Sequence, residues 1–153
     1  MYKRLFMFIC IILISSPLQA ADYTKVYPGN ICQAMHGTQS VDIKRHAGRG
    51  IGNYSNTLRW IVCPIIKQVV DENAHKLDAW VYLTSDYPVE CQLIASDPRG
   101  NTMDQQAGFG SGDVIKIHMQ TLQGHRQGTW GIQCRIGPNT ILHSYVAREH
   151  VAE

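Results

Sequence analysis

The densest group of side chains that could bind a charged ligand is a cationic cluster in the first third of the chain. Four potentially cationic side chains fall within six residues: Lys44, Arg45, His46 and Arg49. Gly48 and Gly50 flank the last of them, and glycines let backbone amides approach a ligand. Guanidinium groups bind the oxygens of phosphate, sulfate or carboxylate. The cluster predicts an anion or acidic-sugar site, and the alternative is a solvated loop between two strands.

A second candidate contact residue is Phe109, which lies in the sequence Gly108-Phe109-Gly110-Ser111-Gly112. Residues 97–113 are rich in Gly, Asn, Gln and Asp, and this composition predicts a long binding loop or mobile loop. An aromatic ring between glycines would be available to a ligand. A phosphate cradle is disfavoured, because such loops lead from a strand into a helix and here a strand is predicted to follow.

Histidines are a third source of chemistry. His118 and His143 are predicted to face outward from late strands, with Tyr145 on the same side as His143 and with Leu142 and Val146 inward. They would form a polar patch if those strands are neighbours. We predict no metal site, since no third ligand stands at a suitable spacing. No cofactor is predicted.

Catalytic motifs are absent from the sequence. It contains no Gly-x-Ser-x-Gly and no His-Glu-x-x-His, and no cysteine after Cys10 is left over as a nucleophile if the disulfides form. We therefore predict no catalytic residue. An enzyme would have to assemble His118, His143 and an acidic neighbour in space.

The N-terminus has the three-part layout of a secretory signal peptide. Lys3 and Arg4 precede an apolar run over residues 5–14, and small residues follow up to Ala20 and Ala21. This run is too short to cross a hydrocarbon core, which needs about 20 residues. We predict a signal peptide over residues 1–20, one domain over residues 21–153, no transmembrane segment after cleavage, and a periplasmic or extracellular location.

Removal of the predicted signal peptide also changes the net charge of the chain. The 14 basic side chains of the full sequence lose Lys3 and Arg4, which leaves 12 against 12 acidic side chains. A chain with no net charge has no global field to attract nucleic acid or an anionic membrane. We therefore predict no nucleic-acid partner.

The mature chain keeps four cysteines, and an even number in an exported protein predicts two disulfides. Cys91 and Cys134 each fall on the apolar face of an alternating segment, so both are predicted to point into the core. This favours a Cys91–Cys134 bridge and leaves Cys32 to pair with Cys63. The sequence alone permits three pairings.

Strand signals dominate the rest of the chain. Strands are predicted over residues 58–63, 79–83, 89–93, 113–120, 130–136 and 141–147. The best helical candidate, residues 65–75, would be a short helix or a turn between strands. We predict an all-β fold: a two-sheet antiparallel sandwich, immunoglobulin-like or jelly-roll-like, with seven or eight short strands and two disulfides.

Three short motifs resemble a loose group of small secreted proteins from Gram-negative bacteria whose role is uncharacterised. They are the Gly-x-x-Asn-x-Ser stretch from Gly50 to Ser55, the Cys-Pro-Ile sequence at Cys63, and the two cysteine pairs. The resemblance covers about the first half of the mature chain. It implies export and a disulfide-linked fold, because its motifs are turns and disulfide ends.

The combined signals favour a non-enzymatic binding module that recognises a protein or glycan partner in the envelope or outside the cell. One specific version is an inhibitor that protects the cell wall from a hydrolase. The alternatives are a small secreted hydrolase with a His/carboxylate site assembled in space, and a structural subunit of a surface assembly. The sequence carries no signal for an oligomeric state.

Overall fold

The computed structural model describes residues 22–37, 40–67, 75–125 and 127–150. The predicted signal peptide and most of the helical candidate at residues 65–75 lie outside these ranges. Within them, no helix is long and apolar enough to span a membrane. The elements are β1 (Asp22–Pro28), the 3-10 turn η1 (Gly29–Ile31), β2 (Gln33–Ala34), β3 (Ile43–His46), β4 (Gly50–Asn53), β5 (Arg59–Ile65), β6 (His75–Ser96), β7 (Thr102–Gly124), β8 (Thr129–Ile136) and β9 (Ile141–His150).

The two longest strands, β6 and β7, connect the two halves of the fold. They pair with each other as a long antiparallel hairpin. The first half of β6 also pairs with β9, whereas its second half pairs with β8. Between these halves the register of β6 shifts from Ser85 to Val89. The sheet bends there into two layers, which confirms the predicted antiparallel sandwich.

Each layer is built around one central strand. In the first layer, β9 pairs with β6 along one edge and with β1 and β4 along the other, and β3 extends the sheet beyond β4. In the second layer, β8 lies between β6 and β5, and β2 pairs with β5. The inward side chains of both layers form one apolar core, which includes Ile51, Ile61, Leu83, Leu93 and Ile132.

Both predicted disulfides are confirmed, Cys32–Cys63 and Cys91–Cys134. Cys91 and Cys134 are directly paired on β6 and β8, so this bridge lies within one layer, whereas the immunoglobulin bridge joins two sheets. The bridged residues are 31 and 43 positions apart. In the chain-entropy account, each bridge stabilises the fold by about 4 kcal/mol.

The loop predicted over residues 97–113 is wrong for most of its length, because β7 begins at Thr102. Two of its glycines, Gly108 and Gly110, serve close packing. A Cβ on Gly108 would lie 2.5 Å from the Cγ2 of Ile117, and one on Gly110 would lie 2.1 Å from the Cγ2 of Ile115. Glycine is needed here because the two halves of β7 approach each other at the corner of the sandwich. The predicted short strands are also wrong for β6 and β7, which have 22 and 23 residues.

The predicted outward orientation of Tyr145 is wrong as well. The register between β6 and β9 shifts between Tyr82 and Leu83, and such a bulge moves the following side chains to the opposite face. Leu142 stays in the core as predicted, but Tyr145 then points inward with 0% exposure and Val146 points outward. Tyr145 stacks on Tyr27 with the ring centroids 4.9 Å apart.

This tyrosine pair predicts a loss of stability at alkaline pH. The Tyr145 hydroxyl donates to the carbonyl of Pro64, and the Tyr27 hydroxyl donates to the carbonyl of Ile66 at 3.0 Å. Burial raises the pKa of both phenols in the folded protein. The unfolded chain ionises them near pH 10, so unfolding releases protons above that pH. The stabilisation is therefore complete below pH 10 and is lost as the pH rises further.

Urea denaturation at pH 8 and pH 11 measures this effect. We expect the free energy of unfolding to fall between the two pH values, and to fall less in Tyr145→Phe, which cannot ionise there. At pH 8 the same variant should lose about 1–2 kcal/mol, because the Pro64 carbonyl loses its donor. An equal alkaline loss in both proteins would assign the pH dependence to other groups.

Candidate functional site

The outer surface of the second layer carries a cleft of about 580 Å³, which we call the aromatic cleft. Its walls come from the segment before β5, the bend of β6, the strands β7 and β8, and the turn after β8. The lining residues are Asn56, Leu58, Tyr87, Pro88, Val89, Glu90, Phe109, Arg135 and Pro138.

Strand register positions the centre of the cleft. Arg135 on β8 pairs directly with Glu90 on β6, and Glu90 pairs directly with Phe109 on β7. Side chains alternate along each strand, and the preceding or following positions hold the buried Cys134 and Cys91. The row Arg135, Glu90 and Phe109 therefore faces outward on three hydrogen-bonded strands. Side chains fixed in this way need little reorganisation to meet a ligand.

Apolar side chains are unusually exposed in the cleft. Phe109 is 72% exposed, Tyr87 46% and Leu58 43%, and Pro88 and Pro138 complete the apolar walls. Single exposed apolar residues are normal on protein surfaces, but a concave group of them with a few polar neighbours marks a ligand site. Phe109, predicted as a ligand contact from the sequence, lies in this group, although on a strand rather than on a loop.

A buried amide holds two walls of the cleft together. Asn53 is 0% exposed, and its Nδ2 donates to the carbonyls of Gly137 at 3.0 Å, Ile136 at 3.1 Å and Thr57 at 2.8 Å. Its Oδ1 accepts from both the backbone N–H and the hydroxyl of Ser55, at 3.0 and 2.8 Å. Asn53 thus ties the segment before β5 to the turn after β8. This explains the asparagine and serine of the Gly-x-x-Asn-x-Ser motif as structural residues.

A hydroxyl pair fixes the third wall. Ser85 and Thr140 are both buried, and their side-chain oxygens are 2.6 Å apart. The Ser85 oxygen also lies 2.9 Å from the Tyr87 carbonyl and accepts from the Tyr87 N–H at 3.1 Å. The bend of β6 that presents Tyr87 is thereby bound to the turn after β8. The aromatic cleft is pre-formed in the folded chain.

The polar groups of the cleft lie beside its rings. The Glu90 carboxylate accepts a hydrogen bond from the Nε2 of Gln92 at 2.9 Å. The Arg135 side chain is exposed, and it makes no hydrogen bond or ion pair with any residue that the structure describes. One acceptor and one donor group are thus available next to an apolar surface. No group of three or more His, Cys, Asp or Glu that could hold a metal ion occurs among the described residues.

The residues of the predicted cationic cluster each have contacts of their own. Lys44 is exposed on β3 with its Nζ 5.5 Å from the centre of the Tyr54 ring. The Nε of Arg45 donates to the Cys32 carbonyl at 3.1 Å, and Arg45 lines a second cavity, away from the aromatic cleft. Arg49 lies in the β3–β4 turn, where its carbonyl accepts from the Nδ1 of His143 at 3.1 Å. Anion binding by Lys44, Arg45 and Arg49 stays a prediction, and these contacts do not bring their charges to one point.

The predicted histidine patch does not form, because β6 lies between β7 and β9. His118 on β7 stacks on Trp80 of β6 with the ring centroids 4.7 Å apart. The Cζ of Arg148 also lies over the Trp80 ring, at 5.1 Å. His143 instead contacts the hydroxyl of Thr84 at 2.9 Å. The outer face of the first layer therefore has its own aromatic and basic residues, which contact one another.

Sequence reasoning missed Leu58, Tyr87, Glu90 and Arg135 as cleft residues. The alternation around Cys91 and Cys134 does place Glu90 and Arg135 outward. What the sequence lacks is the pairing of β8 with β6 and of β6 with β7, which makes them neighbours of Phe109. The Tyr87-Pro88 bend carries a turn signal but no sign of the wall that it forms.

Comparison with known proteins yields a limited result. No family model matches the chain, and no curated protein matches its sequence. Among solved structures, it is similar to the CBM36-1 domain of a multidomain xylanase from the hindgut metagenome of Trinervitermes trinervoides. The TM-score is 0.47 at 12% sequence identity, and the alignment covers 86% of this chain and 99% of that domain. Similarity at this level transfers no function to this chain.

Proposed function

We propose that this protein is an exported, non-enzymatic binding module that holds a glycan in the aromatic cleft. The observation that carries the proposal is the row of Phe109, Glu90 and Arg135, which places an exposed ring beside a hydrogen-bond acceptor and a donor. Sugar rings present apolar C–H faces and polar hydroxyl edges. The Phe109 ring can pack against the C–H face, and the two charged side chains can form hydrogen bonds with the hydroxyl edge.

The size of the cleft favours a glycan over a folded protein partner. Its volume of about 580 Å³ lies within the range of small-molecule sites, roughly 300–1,000 Å³. A stable protein interface buries about 800 Å² on each partner and is commonly much flatter. A few sugar units would fill the cleft.

Two further observations support the proposal that the module is non-enzymatic and that it is exported. Among the residues that the structure describes, Glu90 is the one carboxylate that lines the cleft, whereas glycoside hydrolases commonly use a pair of carboxylic acids. Two disulfides fit a protein that matures in an oxidising compartment, since cytosolic thiols are kept reduced.

Glycan binding should depend on the Phe109 ring. We expect Phe109→Ala to weaken binding of the best array-selected oligosaccharide at least tenfold, because burying one aromatic ring contributes roughly 1.5–3 kcal/mol. The measurement is a glycan array with the oxidised, exported protein, followed by calorimetric titration of wild type and variant. Tyr23→Ala is the matched control, since Tyr23 is 43% exposed and does not line the cleft.

Equal affinity of wild type and Phe109→Ala would contradict the proposal. So would the absence of binding to every oligosaccharide at millimolar concentration. Binding of an envelope protein to the cleft, with no glycan bound, would instead assign the site to a protein partner.

A further inference from the structure

We propose that the aromatic cleft selects neutral sugars with adjacent hydroxyls and discriminates against sugars that carry a carboxylate or an amine. This inference rests on the glycan-binding function proposed above and adds the class of sugar. Its basis is the pair of opposite charges formed by Arg135 and Glu90.

These two residues are the only charged residues that line the cleft among the residues the structure describes, so its net charge is zero. They lie directly opposite each other on β8 and β6. Residues in this relation have Cβ atoms about 5 Å apart, which matches the scale of a sugar ring and its substituents. Any group bound by one of the two charges therefore lies close to the other.

Both side chains keep hydrogen-bonding positions that a ligand can use. The hydrogen bond from Gln92 occupies one oxygen of Glu90 and orients the carboxylate, which leaves further acceptor positions. Arg135 offers several N–H donors, and no described residue uses them. The site thus presents fixed acceptors beside open donors.

A pair of neighbouring hydroxyls fits this arrangement. A hydroxyl both donates and accepts, so one can accept from Arg135 while the next donates to Glu90. A carboxylate bound to Arg135 would lie within reach of the like charge of Glu90. An ammonium bound to Glu90 would lie close to Arg135 in the same way. Like charges brought together at a binding site are a common source of specificity against wrong partners.

Matched oligosaccharides test this selectivity. Galactose and galacturonic acid hexamers of the same 1,4 linkage differ by a hydroxymethyl group against a carboxylate in each unit, and the β-1,4-linked cellulose and chitosan hexamers differ by the C2 hydroxyl against an ammonium. For each pair that binds, we expect the neutral member to bind wild type at least tenfold more tightly. Calorimetric titration gives the ratio of the two dissociation constants.

Single substitutions assign the selectivity to each charge. Glu90→Gln, which keeps an oxygen for Gln92, should shift the ratio about tenfold in favour of the carboxylated sugar. Arg135→Gln should shift the ratio of the other pair about tenfold in favour of the ammonium sugar. Arg99→Gln, an exposed arginine in the β6–β7 turn, should leave both ratios unchanged.

The outcomes separate this inference from the proposed function. Equal binding of charged and neutral members, abolished by Phe109→Ala, would overturn the selectivity and leave the glycan site in place. Ratios that do not change in Glu90→Gln and Arg135→Gln would also overturn it. Failure of wild type to bind any oligosaccharide would overturn both.

Discussion

Replacing Asn53 by alanine is expected to lower the free energy of unfolding by about 4 kcal/mol, because it removes five side-chain hydrogen bonds, each of which contributes roughly 0.5–1.5 kcal/mol. The amide of Asn53 is fully buried and serves the carbonyls of Ile136 and Gly137 inside the protein. Alanine can donate to neither. It also removes the oxygen that accepts two hydrogen bonds from Ser55.

Chemical denaturation of the oxidised protein at pH 7 measures this loss. Asn56→Ala is the matched control, because Asn56 is exposed and lies only three residues further along the chain. Its free energy of unfolding should stay within about 0.5 kcal/mol of wild type. A loss below 1 kcal/mol in Asn53→Ala would show that the Asn53 network is not what holds the two walls of the cleft.

Replacing Gly50 by alanine is expected to cost about 3–5 kcal/mol, through a strained backbone and a steric clash. Gly50 has a φ of 101°, which side-chain-bearing residues rarely adopt. A Cβ at this position would lie 1.9 Å from the carbonyl oxygen of Leu142. Since that oxygen belongs to the backbone of β9, the variant must move β4 away from β9.

Gly48, in the turn just before β4, provides a direct comparison. Its φ is 77°, but a Cβ there would meet no atom within 4 Å. Gly48→Ala should therefore cost only about 1–2 kcal/mol, the strain of a left-handed residue alone. Thermal or urea unfolding of both variants gives the difference. Equal losses would mean that close approach to β9 contributes nothing.

The sequence predicts the cysteine pairing and most strands correctly, because the patterns that indicate them lie within single segments of the chain. Alternation of apolar and polar residues around Cys91 and Cys134 fixes the direction of both side chains. Since the two strands are neighbours in register, the cysteines meet. The confirmed pairing thus depends on a pattern that each segment carries by itself.

The errors arise where tertiary contacts override local signals. Gly, Asn and Asp are poor strand formers, so the composition of residues 97–113 predicts a loop. In the protein, pairing with β6 and the close approach to Ile115 and Ile117 make β7 a continuous strand. The bulge in β9 reverses Tyr145 for a similar reason, because the register of β9 against β6 decides which way the side chain points.

The candidate site is less predictable than the fold. Phe109 could be identified because an aromatic residue among glycines is conspicuous. Lys44 and Arg45 appear clustered in the sequence, yet adjacent residues of a strand point to opposite faces. Glu90 and Arg135 show the opposite case, since 45 residues separate them in the sequence and β6–β8 pairing brings them together.

The most direct test of the central claim is amide chemical-shift mapping of the isotope-labelled, oxidised protein during titration with the best array-selected neutral oligosaccharide. We expect saturable shifts centred on the row Arg135, Glu90 and Phe109 and on the neighbouring Tyr87, with little change around Trp80. Shifts centred on Trp80 and His118, or no shifts at saturating sugar, would contradict the assignment of the aromatic cleft as a glycan site.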